Sequence, residues 1–305
     1  MTSESRPEQA KNPRSWVFST YFAEGLPYML VRYLSSVYLT DIGVREAYLG
    51  FVNFLGIPWN FKFLWAPAVD LFATRRKWLL VVELALVAGF AIVGLLAAAG
   101  PDVTAGTAAP AADGMQSLAV RSTIVLLVML AFLSATHDIA IDGFYMEAID
   151  DPTRQAAYTG LRVLAYRLAV IFTKSVLVAM AGWVSWTAGW IGGAAALGLL
   201  LLYHWRMLPN PTGADRTARD GAAIARDWGR AFTTYLSQPR AWLVLLFVVT
   251  YKLGDEVLFS MNTPFLMREL GVTKPQLSWV SGVFGTVASI AGSLVSARAI
   301  SKWGL

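Results

Sequence analysis

The sequence predicts an all-α polytopic membrane protein, and three observations carry the prediction. Mean hydropathy is +0.52, with 56% of the 305 residues hydrophobic and 15% charged, beyond the roughly 45–50% apolar share of a soluble domain. The apolar residues fall into eight stretches, each near the roughly 20 residues that a helix needs to cross a bilayer. Seven of the eight are crossed or ended by ionisable groups. At mid-bilayer an Asp, Lys or Arg costs about 2.5–3.5 kcal/mol. Facing lipid, Glu24, Arg32, Asp138, Arg167, Lys252, Asp255 and Glu256 would together cost on the order of 20 kcal/mol. They must therefore pair or line a wet pathway for a solute.

The first stretch, 16–40, is too long for a signal-peptide core, carries Glu24 and Arg32, and lacks a small-residue cleavage site. On it Tyr21, Glu24, Tyr28, Arg32 and Ser35 are spaced by 3, 4, 4 and 3 residues and so form one polar stripe on a helix. A self-neutralised packed helix would explain the charges, but aromatic hydroxyls with both signs of charge suit a cavity wall better. Gly25-Leu26-Pro27 marks a kink.

In the second stretch, 47–68, Asn53, Gly56 and Asn60 share a face that could line the cavity or bond a neighbour. Lys62 lies near its end, where it can snorkel, and takes no solute role. Asp70 and the run Arg75-Arg76-Lys77 follow in a short connection, where basic runs mostly fix topology.

The third stretch is 78–100 and the fourth 121–148. The fourth holds the densest polar group, Ala135 to Asp142, with Asp138 and Asp142 four apart on one face. The fifth, 157–181, brings Arg162 and Arg167 to comparable depth; five residues apart, they diverge by about 140° and cannot serve one carboxylate equally. Ion pairing between the two helices is the plainest outcome. A carboxylate that gains and loses an Arg contact also takes up and releases a proton. Asp138, the deeper acid, is the first candidate for coupling, with Asp255 or Glu256 as fallback; Asp142 is a structural or gating partner.

The sixth stretch spans 184–207. After it, 208–239 opens with Pro, Gly, Asp and Arg and then places Ile224, Trp228, Phe232 and Tyr235 at helical spacing, as in an amphipathic helix lying on a membrane surface and linking two helical halves. The seventh stretch, 240–268, carries Lys252, Asp255 and Glu256, either an internal pair at four-residue spacing or part of a cavity wall; the eighth is 277–302.

An internal repeat supports two halves. Leu39-Thr40-Asp41-Ile42-Gly43-Val44 resembles Met267-Arg268-Glu269-Leu270-Gly271-Val272, and Thr20-Tyr21 recurs as Thr250-Tyr251. The seventh and eighth helices thus repeat the first and second, and counterparts of the third to sixth are missing, so the chain reads as a truncation. Basic residues gather before the first stretch and in the even-numbered connections, which places the N-terminus in the cytosol.

Function classes are narrowed by what is scarce. No cysteine and two histidines leave little for a metal centre, and no nucleophile and base constellation suggests an enzyme. The net charge of +5 is spread over short loops rather than one soluble face, which argues against nucleic acid.

With these residues in place, the chain resembles the major facilitator superfamily, and within it the AmpG-type muropeptide permeases and their acetyl-CoA transporter relatives. The likeness rests on Phe22-Ala23-Glu24-Gly25-Leu26-Pro27, Lys62 to Asp70 with Arg75-Arg76, Ala135 to Asp142, Tyr166-Arg167-Leu168 and Tyr251-Lys252-Leu253-Gly254-Asp255. His137 stands where Gln is commoner.

The resemblance implies a twelve-helix, two-lobed carrier working by alternating access, usually driven by protons, that imports anhydromuropeptides across the bacterial inner membrane for cell-wall recycling. Here it implies a cytosolic tail (1–15), a complete six-helix N-terminal half (16–207), a linker (208–239) and the first two helices of the C-terminal half (240–305). The family's acid-and-basic loop motif maps onto Asp70, Arg75 and Arg76 as a cytosolic gate, which Asp142 and Arg162 join.

The expected protein is a proton-coupled importer, monomeric, in contact with solute, protons and membrane lipids, with no cofactor. Tyr21, Glu24, Tyr28, Arg32, Arg167 and Lys252 would bind solute, and Asp138, Asp255 and Glu256 would carry the proton. A CoA thioester is the alternative solute, and a non-transporting sensor or assembly protein the alternative class.

Overall fold

A computed structural model describes residues 13–71, 73–100, 117–210 and 221–303. Among them the chain is a series of helices: α1 (13–41), α2 (46–71), α3 (Arg75–Ala98), α4 (Leu118–Ala148), α5 (Thr159–Trp183), α6 (Trp186–Met207), α7 (Gly221–Leu236), α8 (241–269) and α9 (274–303). The eight apolar stretches appear as helices whose ends lie within three residues of those expected. Four of them, α3 to α6, are long and apolar enough to cross a membrane. The others carry charge or are broken by π and 3-10 turns, at Leu30–Leu34 in α1, Gly50–Gly56 in α2, Phe265–Glu269 in α8 and Ser278–Phe284 in α9.

Local chemistry sets the starts. Thr74 accepts from the Lys77 N–H and Ser185 from the Ala188 N–H, capping α3 and α6, while Thr273 and Gln276 form a reciprocal capping box on α9. Each cap satisfies an amide that has no partner within its own helix.

The repeat is visible in the backbone. Gly43 and Gly271 both adopt positive φ, +80° and +66°, which a side chain would resist. The short helices Glu46–Leu49 and Lys274–Leu277 and the irregular turns Gly50–Gly56 and Ser278–Phe284 fall at the same offset of 228 residues as those glycines.

α1 sits at the centre, against α4, α5 and α6, while α3 packs between α4 and α6. Near its C-terminal end Tyr38 meets Trp186 and Trp190 edge-on, at 5.0 and 6.1 Å, and Phe90 stacks on Trp190. α8 lies against the Ser35–Asp41 end of α1, and the π turn of α9 packs on the π turn Phe172–Leu177 of α5. The amphipathic α7 docks on α2: Trp228 donates to the Phe63 carbonyl at 3.2 Å, and Phe232 tilts against Phe63. The side chains of Ile224 and Tyr235 lie outside the described residues.

Candidate functional site

The site is built along α1, whose neighbours can be placed in register with it. Gly25 lets α5 approach: a Cβ there would lie 3.0 Å from the Tyr166 ring and 3.1 Å from Ala169. Going up α1, Tyr21 meets Arg162, Gly25 meets Tyr166 and Tyr33 meets Lys174, so α5 ascends with it. On α2 the partners Trp59 and Gly56 descend as Tyr28 and Arg32 ascend.

The lowest layer is a hydrogen-bonded acid. Asp142 accepts from the Tyr21 hydroxyl at 2.9 Å and from Arg162 Nη2 at 3.1 Å. The Arg162 guanidinium also lies over the rings of Tyr21 and Tyr145, at 4.1 and 4.6 Å, so two electron-rich faces and one carboxylate hold it.

Above it, Lys62 Nζ reaches Asp138 Oδ2 at 2.5 Å. Glu24 stands within electrostatic reach of Asp138, Asp142, Lys62 and Arg162, and its Oε2 finds no hydrogen-bond partner among the described residues. Three carboxyls thus face two cations in this part of the bundle.

An aromatic layer follows. Tyr28 packs edge-on against Trp59 at 4.9 Å and lies 6.4 Å from Tyr166. Beyond it Arg32 crosses the face of Gly56 and sits 5.1 Å over the Phe259 ring of α8, and Lys174 sits 4.8 Å over Tyr33.

The column ends in a cluster that ties the two repeat loops together. Asp41 accepts from Trp186 Nε1 at 2.7 Å and from Lys274 Nζ at 2.6 Å. Arg268 pairs with Glu46 and donates to the Thr40 and Val44 carbonyls, at 2.8 and 2.6 Å. The residue that distinguishes the second repeat, Arg268, therefore caps the backbone of the first.

Several expectations need correction. Lys62 does not snorkel away: it is the ion-pair partner of Asp138, because α2 brings it to the level of Glu24. Arg167, five residues past Arg162, makes no ion pair with Asp138. Ser35 leaves the polar stripe, its hydroxyl turned back to the Val31 carbonyl, since the π turn Leu30–Leu34 shifts the register of α1. Arg75 donates to the Gly143 carbonyl at 2.9 Å and lies 3.8 Å from Glu147, and Arg76 donates to the Trp205 carbonyl at 2.8 Å. Both basic residues thus bind the ends of α4 and α6. The side chains of Asp70, Asn53, Lys252, Asp255 and Glu256 lie outside the described residues.

A second polar unit lies off the column, between α1, α3 and α6. Glu83 and His204 are both fully buried. Nδ1 of His204 meets the two Glu83 oxygens at 2.8 and 3.1 Å, and its Nε2 lies 3.1 Å from Ser19 Oγ, which donates to the Trp16 carbonyl. Whichever atom holds the proton between ring and carboxyl, every donor has an acceptor and the unit is neutral. His137, also buried, has both ring nitrogens without a partner among the described residues.

An apolar cleft of about 390 Å³ lies between α2 and α4 and is lined by residues such as Tyr48, Phe54, Leu127 and Phe132. No charged side chain is among the described residues that line it.

Comparison with known proteins adds to this geometry. The family described as "Acetyl-coenzyme A transporter 1" matches residues 18–178, just over half of the chain. The "Anhydromuropeptide permease" of Escherichia coli K12 is 29% identical over 293 residues, 93% of this chain and 55% of the relative. An uncharacterized protein of Haemophilus influenzae is 25% identical over 94% of the chain and 64% of its own length. A Rickettsia felis protein bearing the name AmpG 4 is 22% identical over 94% of the chain and 67% of its own length. The chain spans little more than half the length of the E. coli relative.

Proposed function

The chain belongs to the acetyl-coenzyme A transporter 1 family, and from that membership and the charged column along α1 we propose that it serves in a secondary active transporter for a small anionic metabolite. The observation that carries the reading is the column itself: Tyr21, Glu24, Lys62, Asp138, Asp142 and Arg162 converge inside an apolar helical bundle. Intramembrane charges that pair with one another across helices mark ion and solute pathways.

The proposed solute is a muropeptide or related sugar-peptide, imported with protons across a bacterial inner membrane, the N-terminus being cytosolic. The identity to the anhydromuropeptide permease favours it; a CoA thioester is the second reading, favoured by the family's description. Tyr28, Arg32 and Arg167 would contact solute, with Lys252. Three carboxyls against two cations leave one acid able to hold a proton without excess charge, and Asp138 is proposed to exchange it, with Asp255 and Glu256 as further candidates. With Lys62 on Asp138 the charge of the carboxylate is offset; when the helices part, the buried acid regains a proton. Asp142 and Arg162 would act with Asp70, Arg75 and Arg76 in closing the cytosolic end.

Alternating access needs two closures, and the Asp41–Lys274 and Glu46–Arg268 contacts support a closed outer end in the conformation described. The test is uptake of labelled anhydromuropeptide into liposomes holding the complete protein. An inward proton gradient should speed uptake, and Asp138→Asn should abolish the gradient effect while solute binding persists. Uptake indifferent to the gradient in the unaltered protein would reject proton coupling.

A further inference from the structure

We propose that Arg167 and Lys174 form an anion subsite that takes a carboxylate or phosphate of the transported solute. The inference rests on the transporter reading and specifies one part of that site.

The two cations are seven residues apart on α5, two turns along one face, and they feel each other's charge. Neither has a carboxylate within ion-pair reach among the described residues, in contrast with Lys62, Arg162, Arg268 and Lys274, each of which has one. Lys174 lies within the bundle rather than at a helix end, partly buried, with Nζ 4.8 Å over the Tyr33 ring. A tyrosine face offsets only part of the cost of bringing an ammonium out of water, and a second cation nearby raises that cost. An arrangement of two unneutralised cations is stable when an anion joins it.

The backbone points the same way. Lys174 falls on the π turn Phe172–Leu177, and single π turns inside α-helices are frequent at functional sites. That turn is also where α9 meets α5: a Cβ on Gly282 would collide with Ser175. Tyr166, one residue before Arg167, lies in the field of Glu24 and Asp138 on one side and of Arg167 on the other. The column is therefore polarised, with the acids and their partners below the Tyr28–Tyr166 layer, and Lys174 above it and Arg167 beside it without a carboxylate partner among the described residues. A solute with one anionic end would be oriented by it.

The test measures binding of four probes to the complete protein in detergent: an N-acetylmuramyl peptide with free carboxylates, the same peptide amidated, acetyl-coenzyme A, and acetyl-pantetheine, which lacks the nucleotide phosphates. If the anion is a carboxylate, the acid peptide should bind about tenfold tighter than the amide. Lys174→Met should erase that preference and Lys174→Arg should keep most of it. If it is a phosphate, the same pattern should appear between acetyl-coenzyme A and acetyl-pantetheine. Binding in which Lys174→Met weakens charged and neutral probes alike would overturn the subsite and leave the transporter reading standing. Should no probe bind, that failure falls on the choice of solute, and the subsite is judged by sulfate. Sulfate should raise the unfolding temperature of the unaltered protein above that in chloride of equal ionic strength, and Lys174→Met should remove the increment; an equal increment in both overturns it.

Discussion

Removing His204 should damage the protein more than any other single truncation outside the column. His204 and Glu83 are fully buried and joined by contacts of 2.8 and 3.1 Å, with Ser19 closing the second ring nitrogen. His204→Leu deletes every partner of the Glu83 carboxyl at once. Stranding one member of a buried ion pair costs about 3–5 kcal/mol, whereas losing a neutral interhelical hydrogen bond inside a membrane bundle costs about 0.6 kcal/mol on average and at most about 1.7. Glu83→Leu should cost about 1–3 kcal/mol, the penalty for one unmet ring nitrogen. The double variant should lie close to the unaltered protein, since an apolar pair can replace a buried ionic one. A double-mutant cycle on unfolding in detergent, followed by tryptophan fluorescence, measures all four species. Single variants each costing under about 0.5 kcal/mol, or a double variant worse than the sum of the singles, would refute the argument that the pair is a closed, self-satisfied unit.

Two further outcomes follow from the geometry. Gly25→Val should separate α1 from α5, because its branches would enter the space of the Tyr166 ring and Ala169; about 1–3 kcal/mol of destabilisation is expected, read as a lowered midpoint of unfolding, and a neutral result would mean that the helices have more freedom than their contact indicates. The chain has no cysteine of its own, so a single one placed at Ser36, 7% exposed near the C-terminal end of α1, reports opening there. Lys274→Met should raise its modification by a membrane-impermeant thiol reagent several-fold, and unchanged labelling would remove the Asp41–Lys274 pair from the gate.

The helices were legible because their signal is collective: twenty apolar residues in succession state a helix regardless of what each touches. The column was partly legible. Spacing put Tyr21 and Glu24 on one face, and the need to neutralise Asp142 pointed to α5, where Arg162 does meet it. Lys62 was not legible, since its place near the end of an apolar stretch suited snorkelling equally well, and only the packing of α2 decides the matter. Lys174 and Glu83 were missed for a related reason. Each is the lone charged residue in an apolar run, with no other charge beside it in sequence to give a pattern. The signal available was the energetic one, that an isolated ion in a hydrophobic helix needs a partner from elsewhere. Applied to Glu83, that rule leaves few unclaimed partners, and His204 is one of the two histidines in the chain.

The two polar systems differ in which helices they join. Glu83, His204 and Ser19 satisfy one another within the N-terminal half, drawing on α1, α3 and α6, so moving that half as a body breaks none of their bonds. The contacts at the C-terminal end of α1 are of the other kind, since Arg268 and Lys274 each reach from the second repeat to the first. Glu46–Arg268 is partly exposed and worth little by itself, because water can replace either partner, whereas Asp41 and Lys274 are only 14% and 15% exposed, so parting them costs more. On the proposed alternating-access cycle, moving α8 and α9 away from α1 would break the Asp41–Lys274 and Glu46–Arg268 contacts and leave the Glu83–His204–Ser19 network intact.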